Sequence, residues 1–120
     1  MTYKLDTTVN ILGTPWTIIA KTLEEDHCLQ DVDGYTDFTD KTIIVADRMH
    51  DDLFHNPAAI TAQAIRHEII HAFLFESGLA FNFEHPEKGH DETTIDWLAI
   101  QWPKINNVLG QIFATVRVEE

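Results

Sequence analysis

A chain of 120 residues with 44% hydrophobic content can bury one core and is too apolar for disorder, so a single domain over residues 1–120 is expected. With 20 acidic against 8 basic side chains the net charge is −12, which excludes the clustered Lys and Arg that a phosphate backbone demands; no nucleic-acid partner is expected. Cys28 is the single cysteine and leaves no internal disulfide. The first residues lack the apolar core of a secretory leader, and there is no apolar run of about 18 residues, so the reading is cytoplasmic with no membrane span.

In chain order, Val9 to Leu12 and Trp16 to Ala20 are β-rich runs around Gly13-Thr14-Pro15, the pattern of a hairpin. Glu24 to Asp33 is acidic and reads as a loop. Tyr35 to Phe38 and Thr42 to Ala46 flank Asp40-Lys41 and predict a second hairpin, its later strand β-branched in Thr42-Ile43-Ile44-Val45. Asp47 to His55 is a polar connection. Asn56-Pro57 opens the main helix, with Asn as N-cap and Pro at the first helical position. The helix should run to about Ser77, with Gly78 closing it. Leu79 to His90 reads as a loop. Asp91 caps a second helix from Glu92 to about Trp102, which Pro103 kinks or restarts and which continues to about Val116. The expected fold is α+β: a small, antiparallel-rich sheet of three to four strands, then the two helices.

Within the main helix lies His67-Glu68-Ile69-Ile70-His71, an HExxH motif. Histidines four residues apart share a helical face, so both imidazoles can reach one zinc ion, and Glu68 is placed to act on a water held by that ion. Ile60, Ala64, His67, His71 and Leu74 fall on one stripe and Ile65, Ile69, Ala72 and Phe73 on another. A helix apolar on two sides is covered by other elements, which turns the histidines into the protein or into a cleft. The bland alternative is a pair of buried, hydrogen-bonded histidines with no metal.

A catalytic zinc takes three protein ligands and keeps one position for water. Where metzincins place a third histidine and a glycine this chain has Ser77 and Leu74, which excludes that class. The acidic candidates after His71 are Glu76, Glu84, Glu87, Asp91, Glu92 and Asp96. Glu76 shares the motif helix and points elsewhere; Glu84 and Glu87 lie in the loop. Glu92 and Asp96 are four apart on one face of the second helix, so Glu92 can meet the metal while Asp96 accepts the free N–H of one histidine ligand.

His67-Glu68-x-x-His71 followed by Glu92-x-x-x-Asp96 resembles the signature of the gluzincins, the thermolysin-like zinc peptidases. More narrowly, Glu92-Thr93-Thr94-Ile95-Asp96-Trp97-Leu98-Ala99 is similar to the glutamate helix of ImmA/IrrE-type metallopeptidases, which are small, intracellular and often carried by phages and mobile elements. The resemblance covers roughly Thr36 to Ala99. It departs at Ile95, where the family favours a small residue, and at Leu98, where it favours Phe. It implies a minimal zincin-like domain and a zinc metalloendopeptidase acting on a protein or peptide substrate. His67, His71 and Glu92 would be the metal ligands and Glu68 the catalytic base. A His or Tyr that steadies the oxyanion would be His85, His90 or Tyr35.

Bound zinc would lower the pKa of its water toward about 7, and Glu68 would carry the proton to the leaving amine. The strand Thr42 to Ala46 is expected to offer an edge to an extended substrate. Two other readings compete: a zinc-stabilised, non-catalytic binding or structural module of a phage or mobile element, closed by a fourth ligand such as His85 or His90, and an acidic decoy surface for a basic partner. Trp16, Trp97, Trp102, Phe73, Phe75, Phe81 and Phe83 read as core, and His27, His50 and His55 as surface.

Overall fold

The computed structural model describes residues 5–49, 53–81 and 92–115. Four strands precede two long helices: β1 (Asp6–Ile11), β2 (Thr14–Lys21), β3 (Gly34–Asp37), β4 (Thr42–Ala46), α1 (Pro57–Ser77) and α2 (Glu92–Thr115). The architecture is α+β, a mixed sheet of order β1-β2-β4-β3 followed by the helix pair. The β1–β2 and β3–β4 pairings are antiparallel, each hairpin turning through a residue in the left-handed region, Leu12 with Gly13 in the first and Lys41 in the second. The two hairpins join through a parallel pairing of β2 with β4, Ile18 opposite Ile43 and Ala20 opposite Val45.

The side-chain alternation of β4 explains why it sits inside the sheet. Ile43 and Val45 point toward α1 and pack with Ile11, Trp16, Ile18, Ala64 and Ala72. Ile44 and Ala46 point the other way and pack with Leu29, Ile19 and Tyr35. A strand apolar on both faces needs cover on both and gains most with a neighbour at each edge. β4 therefore offers no edge to a substrate, contrary to the sequence expectation; the edges are β1 and β3. The acidic stretch before β3 also does more than a loop. A single 3₁₀ turn, His27–Leu29, buries Leu29 under the second face, and the Asp26 side chain accepts from the Cys28 amide to start it.

Asn56 caps α1 by accepting from the Ala59 amide at 3.2 Å, Pro57 occupies the first turn, and Gly78 closes the helix at φ 84°. The first turns are tied to the sheet where Thr61 donates to the Ala46 carbonyl at 3.1 Å. The last turn is tied by Glu76, which accepts from Trp16 Nε1 at 2.8 Å and Thr14 Oγ1 at 3.2 Å and pairs with Lys41 Nζ at 3.0 Å.

α2 lays Ile95 and Ala99, both fully buried, against α1. It runs through Pro103 without a break. A proline has no amide to bond the carbonyl four residues back, here Ala99; Arg66 Nε of α1 donates to that carbonyl at 2.7 Å instead. The expected core places for Trp97, Trp102 and Phe73 are wrong, at 57%, 49% and 43% exposure. Trp97 lies on the face of α2 opposite the Ile95 and Ala99 stripe, whereas Trp102 continues that stripe one turn further and is still half exposed. Trp16 is fully buried, and Phe75 is half-buried and stacked on Phe38. His27 and His55 are exposed. Among the described residues no helix is long and apolar enough to cross a membrane.

Candidate metal centre

His67 and His71 leave α1 one turn apart, and their Nε2 atoms lie 3.2 Å from each other. Glu92, in the first turn of α2, reaches both: Oε2 is 3.0 Å from His67 Nε2 and Oε1 is 3.0 Å from His71 Nε2. Asp96, one turn further along α2, places Oδ1 2.6 Å from His67 Nδ1. The i, i+3, i+4, i+7 spacing of Glu92, Ile95, Asp96 and Ala99 makes one stripe of α2, so burying Ile95 and Ala99 on α1 brings both carboxylates to the histidines.

The hydrogen bond from His67 Nδ1 to Asp96 fixes the role of the other ring nitrogen. A neutral imidazole that donates through Nδ1 has a lone pair on Nε2. That lone pair then faces a Glu92 oxygen and the Nε2 of His71, a meeting of atoms that a cation can bridge. The three donor atoms that can meet one ion lie within 4.8 Å of one another. Zinc bonds of about 2.0–2.1 Å in tetrahedral geometry put ligand atoms roughly 3.3 Å apart. The 3.2 Å between the two Nε2 atoms matches that spacing, each histidine lies 3.0 Å from a different oxygen of Glu92, and two imidazoles with a carboxylate are a donor set that zinc accepts.

Glu68 turns from the same helix toward the sheet and is only 6% exposed. Thr36 of β3 donates to its Oε1 at 2.9 Å, while Oε2 lies 3.7 Å from His67 Nε2. Burial pushes the Glu68 carboxyl above the ordinary carboxylate range, and the Thr36 hydrogen bond and His67 oppose that rise. The residues border a cleft of about 600 Å³ whose walls include Gly34, Thr36, Ile60, Ala64 and Phe75.

Of the expected site residues, the fold brings His67, Glu68, His71, Glu92 and Asp96 together, and Glu76 points to the β1–β2 hairpin. Tyr35 borders the cleft, but its ring packs with Leu29 and Ile44 on the far face of the sheet, and its hydroxyl donates to Asp26. Burial and that carboxylate raise the Tyr35 phenol above its ordinary value, so it is not placed to steady an oxyanion. His50, Phe83, Glu84, His85, Glu87, His90 and Asp91 lie outside the described residues. Thr36, Gly34 and Arg66 are absent from the sequence reading. Thr36 and Gly34 carry no spacing that marks them; Pro103 within a predicted helix was the available signal for a donor such as Arg66.

Comparison with protein-family models, with curated proteins and with solved structures finds no match to this chain.

Proposed function

We propose that this protein is a zinc-dependent metalloendopeptidase built on a minimal zincin-like domain. The observation that carries the reading is the convergence of His67, His71 and Glu92 on one point, with the buried carboxylate of Glu68 beside it in a cleft. His67 Nε2, His71 Nε2 and a Glu92 carboxylate oxygen would hold the ion, and three protein ligands are the complement of a catalytic rather than a closed structural site. Zinc held there supplies Lewis acidity, which acidifies water and polarises a carbonyl.

The chain's own groups do the rest. Asp96 keeps the His67 ring in the tautomer whose Nε2 is free to bind. Glu68 Oε2 takes a proton from the attacking water as its oxygen bonds to the carbonyl carbon. It returns the proton to the amide nitrogen as the C–N bond breaks, and the remaining hydroxyl proton passes to the amine, leaving a carboxylate and an ammonium group. The raised Glu68 carboxyl suits a group that must accept and then release a proton. β3 forms the sheet edge bordering the cleft and is the strand along which an extended peptide would pair.

The test is zinc content and cleavage of an unstructured protein by the wild type and by Glu68→Gln. The expected result is zinc near one equivalent in both, with cleavage lower by about 10²–10⁴ in the variant. A fully loaded Glu68→Gln protein that cleaves as fast as wild type removes Glu68 as base. A zinc-loaded wild type that cleaves nothing, and that unfolds on chelation, supports the structural module instead.

A further inference from the structure

We infer that Thr36 is the positioning residue for Glu68, holding one carboxylate oxygen against β3 so that the other alone faces the cleft. This role rests on the reading of Glu68 as base. The Thr36 hydroxyl has one proton and lies 2.9 Å from Glu68 Oε1 and 3.3 Å from the Glu68 carbonyl oxygen, so the carboxylate is the nearer acceptor. The terminal torsion of a glutamate is broad and roughly two-fold, so an unheld carboxylate samples many orientations. A single donor on Oε1 removes that freedom and leaves Oε2 on the side of His67, at 3.7 Å from Nε2.

Gly34 completes the cradle two residues earlier on the same face of β3. A Cβ there would stand 2.9 Å from the Ile44 carbonyl oxygen, too close for any other residue, and 3.2 Å and 3.3 Å from Val45 Cγ1 and Glu68 Cγ, so the glycine that the backbone requires also leaves the Glu68 stem close against β3. Both contacts come from the strand bordering the cleft, so the same element that would align a peptide also fixes the base beside it. Reacting groups must lie within about 3–3.5 Å and be aligned, and a displacement near 1 Å can cost about 10²-fold in rate.

Thr36→Val keeps the shape and removes the hydroxyl, whereas Thr36→Ser keeps the hydroxyl. The measurements are kcat and KM on an unstructured protein, zinc affinity, and the ¹³Cδ resonance of Glu68 in metal-free protein, assigned by its loss in Glu68→Gln. Thr36→Val is expected to bind zinc like wild type, to lose about 10- to 100-fold in kcat with KM unchanged, and to shift the Glu68 resonance. Thr36→Ser is expected to restore both. A tie that merely holds β3 to α1 would instead lower thermal stability and zinc affinity together. Thr36→Val with wild-type kcat and an unmoved resonance overturns the role while leaving the peptidase reading intact. A zinc-loaded wild type that cleaves nothing overturns the peptidase reading, and this role with it.

Discussion

Asp96 shows how an exposed side chain can govern a half-buried neighbour. It is 56% exposed and touches the candidate centre only through His67 Nδ1, yet that hydrogen bond decides which ring nitrogen carries the proton. An asparagine in its place can accept the same N–H but brings no charge to raise the basicity of the ring. Asp96→Asn is therefore expected to weaken zinc binding by about 10- to 100-fold, read by competition with a chromophoric chelator, while the circular dichroism of the metal-free chain is unchanged. Equal affinities would mean that solvent, not Asp96, sets the tautomer. Gly34 makes a related point about space: its value lies in the atom it lacks beside the Ile44 carbonyl and the Glu68 stem, not in an unusual backbone angle.

At the scale of the element, α2 depends on a bond from another helix. Pro103 removes the amide that would bond the Ala99 carbonyl, and Ala99 is fully buried, so that carbonyl cannot turn to water. The Arg66 guanidinium supplies the donor from α1, one residue before His67. One hydrogen bond thus repairs α2 and sets it against the helix that carries the histidines. Arg66→Met is expected to lower stability by about 1–3 kcal/mol, the cost of an unsatisfied buried carbonyl. In a Pro103→Ala background the returned amide should absorb most of that loss. Urea denaturation of the four proteins gives the coupling, and strictly additive effects would disprove the link.

For the whole molecule, three of the 20 acidic side chains meet at the candidate centre. Glu68, Glu92 and Asp96 stand beside two imidazoles in a chain of net charge −12, a field that favours a cation at their meeting point. Because the histidines come from α1 and Glu92 from α2, an ion there would also fasten α2 to the rest of the domain. At the other end of α1, Glu76 joins the helix to both hairpins through Trp16, Thr14 and Lys41. The Lys41 ammonium and the Trp16 indole hold its carboxyl below the usual 4.5. A depressed folded pKa means that the unfolded chain binds the proton first. The stabilisation is therefore complete above about pH 4.5 and fades as pH falls through the lower folded value. The melting temperature of wild type should exceed that of Glu76→Gln most near neutrality, and the gap should narrow on acidification below that point. A gap that widens in acid would contradict the assignment.

The elements were largely legible because their signals are local. Asn56-Pro57 and Gly78 delimit α1, and the i, i+4 spacing puts His67 with His71, and Glu92 with Asp96, on shared faces whatever the rest of the chain does. The hairpins announced themselves through turn residues and β-branched runs. Strand order did not, because alternation says which side chains share a face and not which strand lies at the edge; hence β4 proved interior. The expected burial fails at Trp97 because it lies opposite the packed stripe of α2, and at Trp102 although it continues that stripe, since face says nothing of how far along a helix its cover extends. By itself the sequence determined the helices, their caps and the spacing of the candidate ligands, all consequences of backbone geometry over a few residues. Only the tertiary structure decided that Thr36 meets Glu68 across 32 residues and Arg66 meets Ala99 across 33, since such contacts depend on how whole faces pack and leave no mark in local spacing.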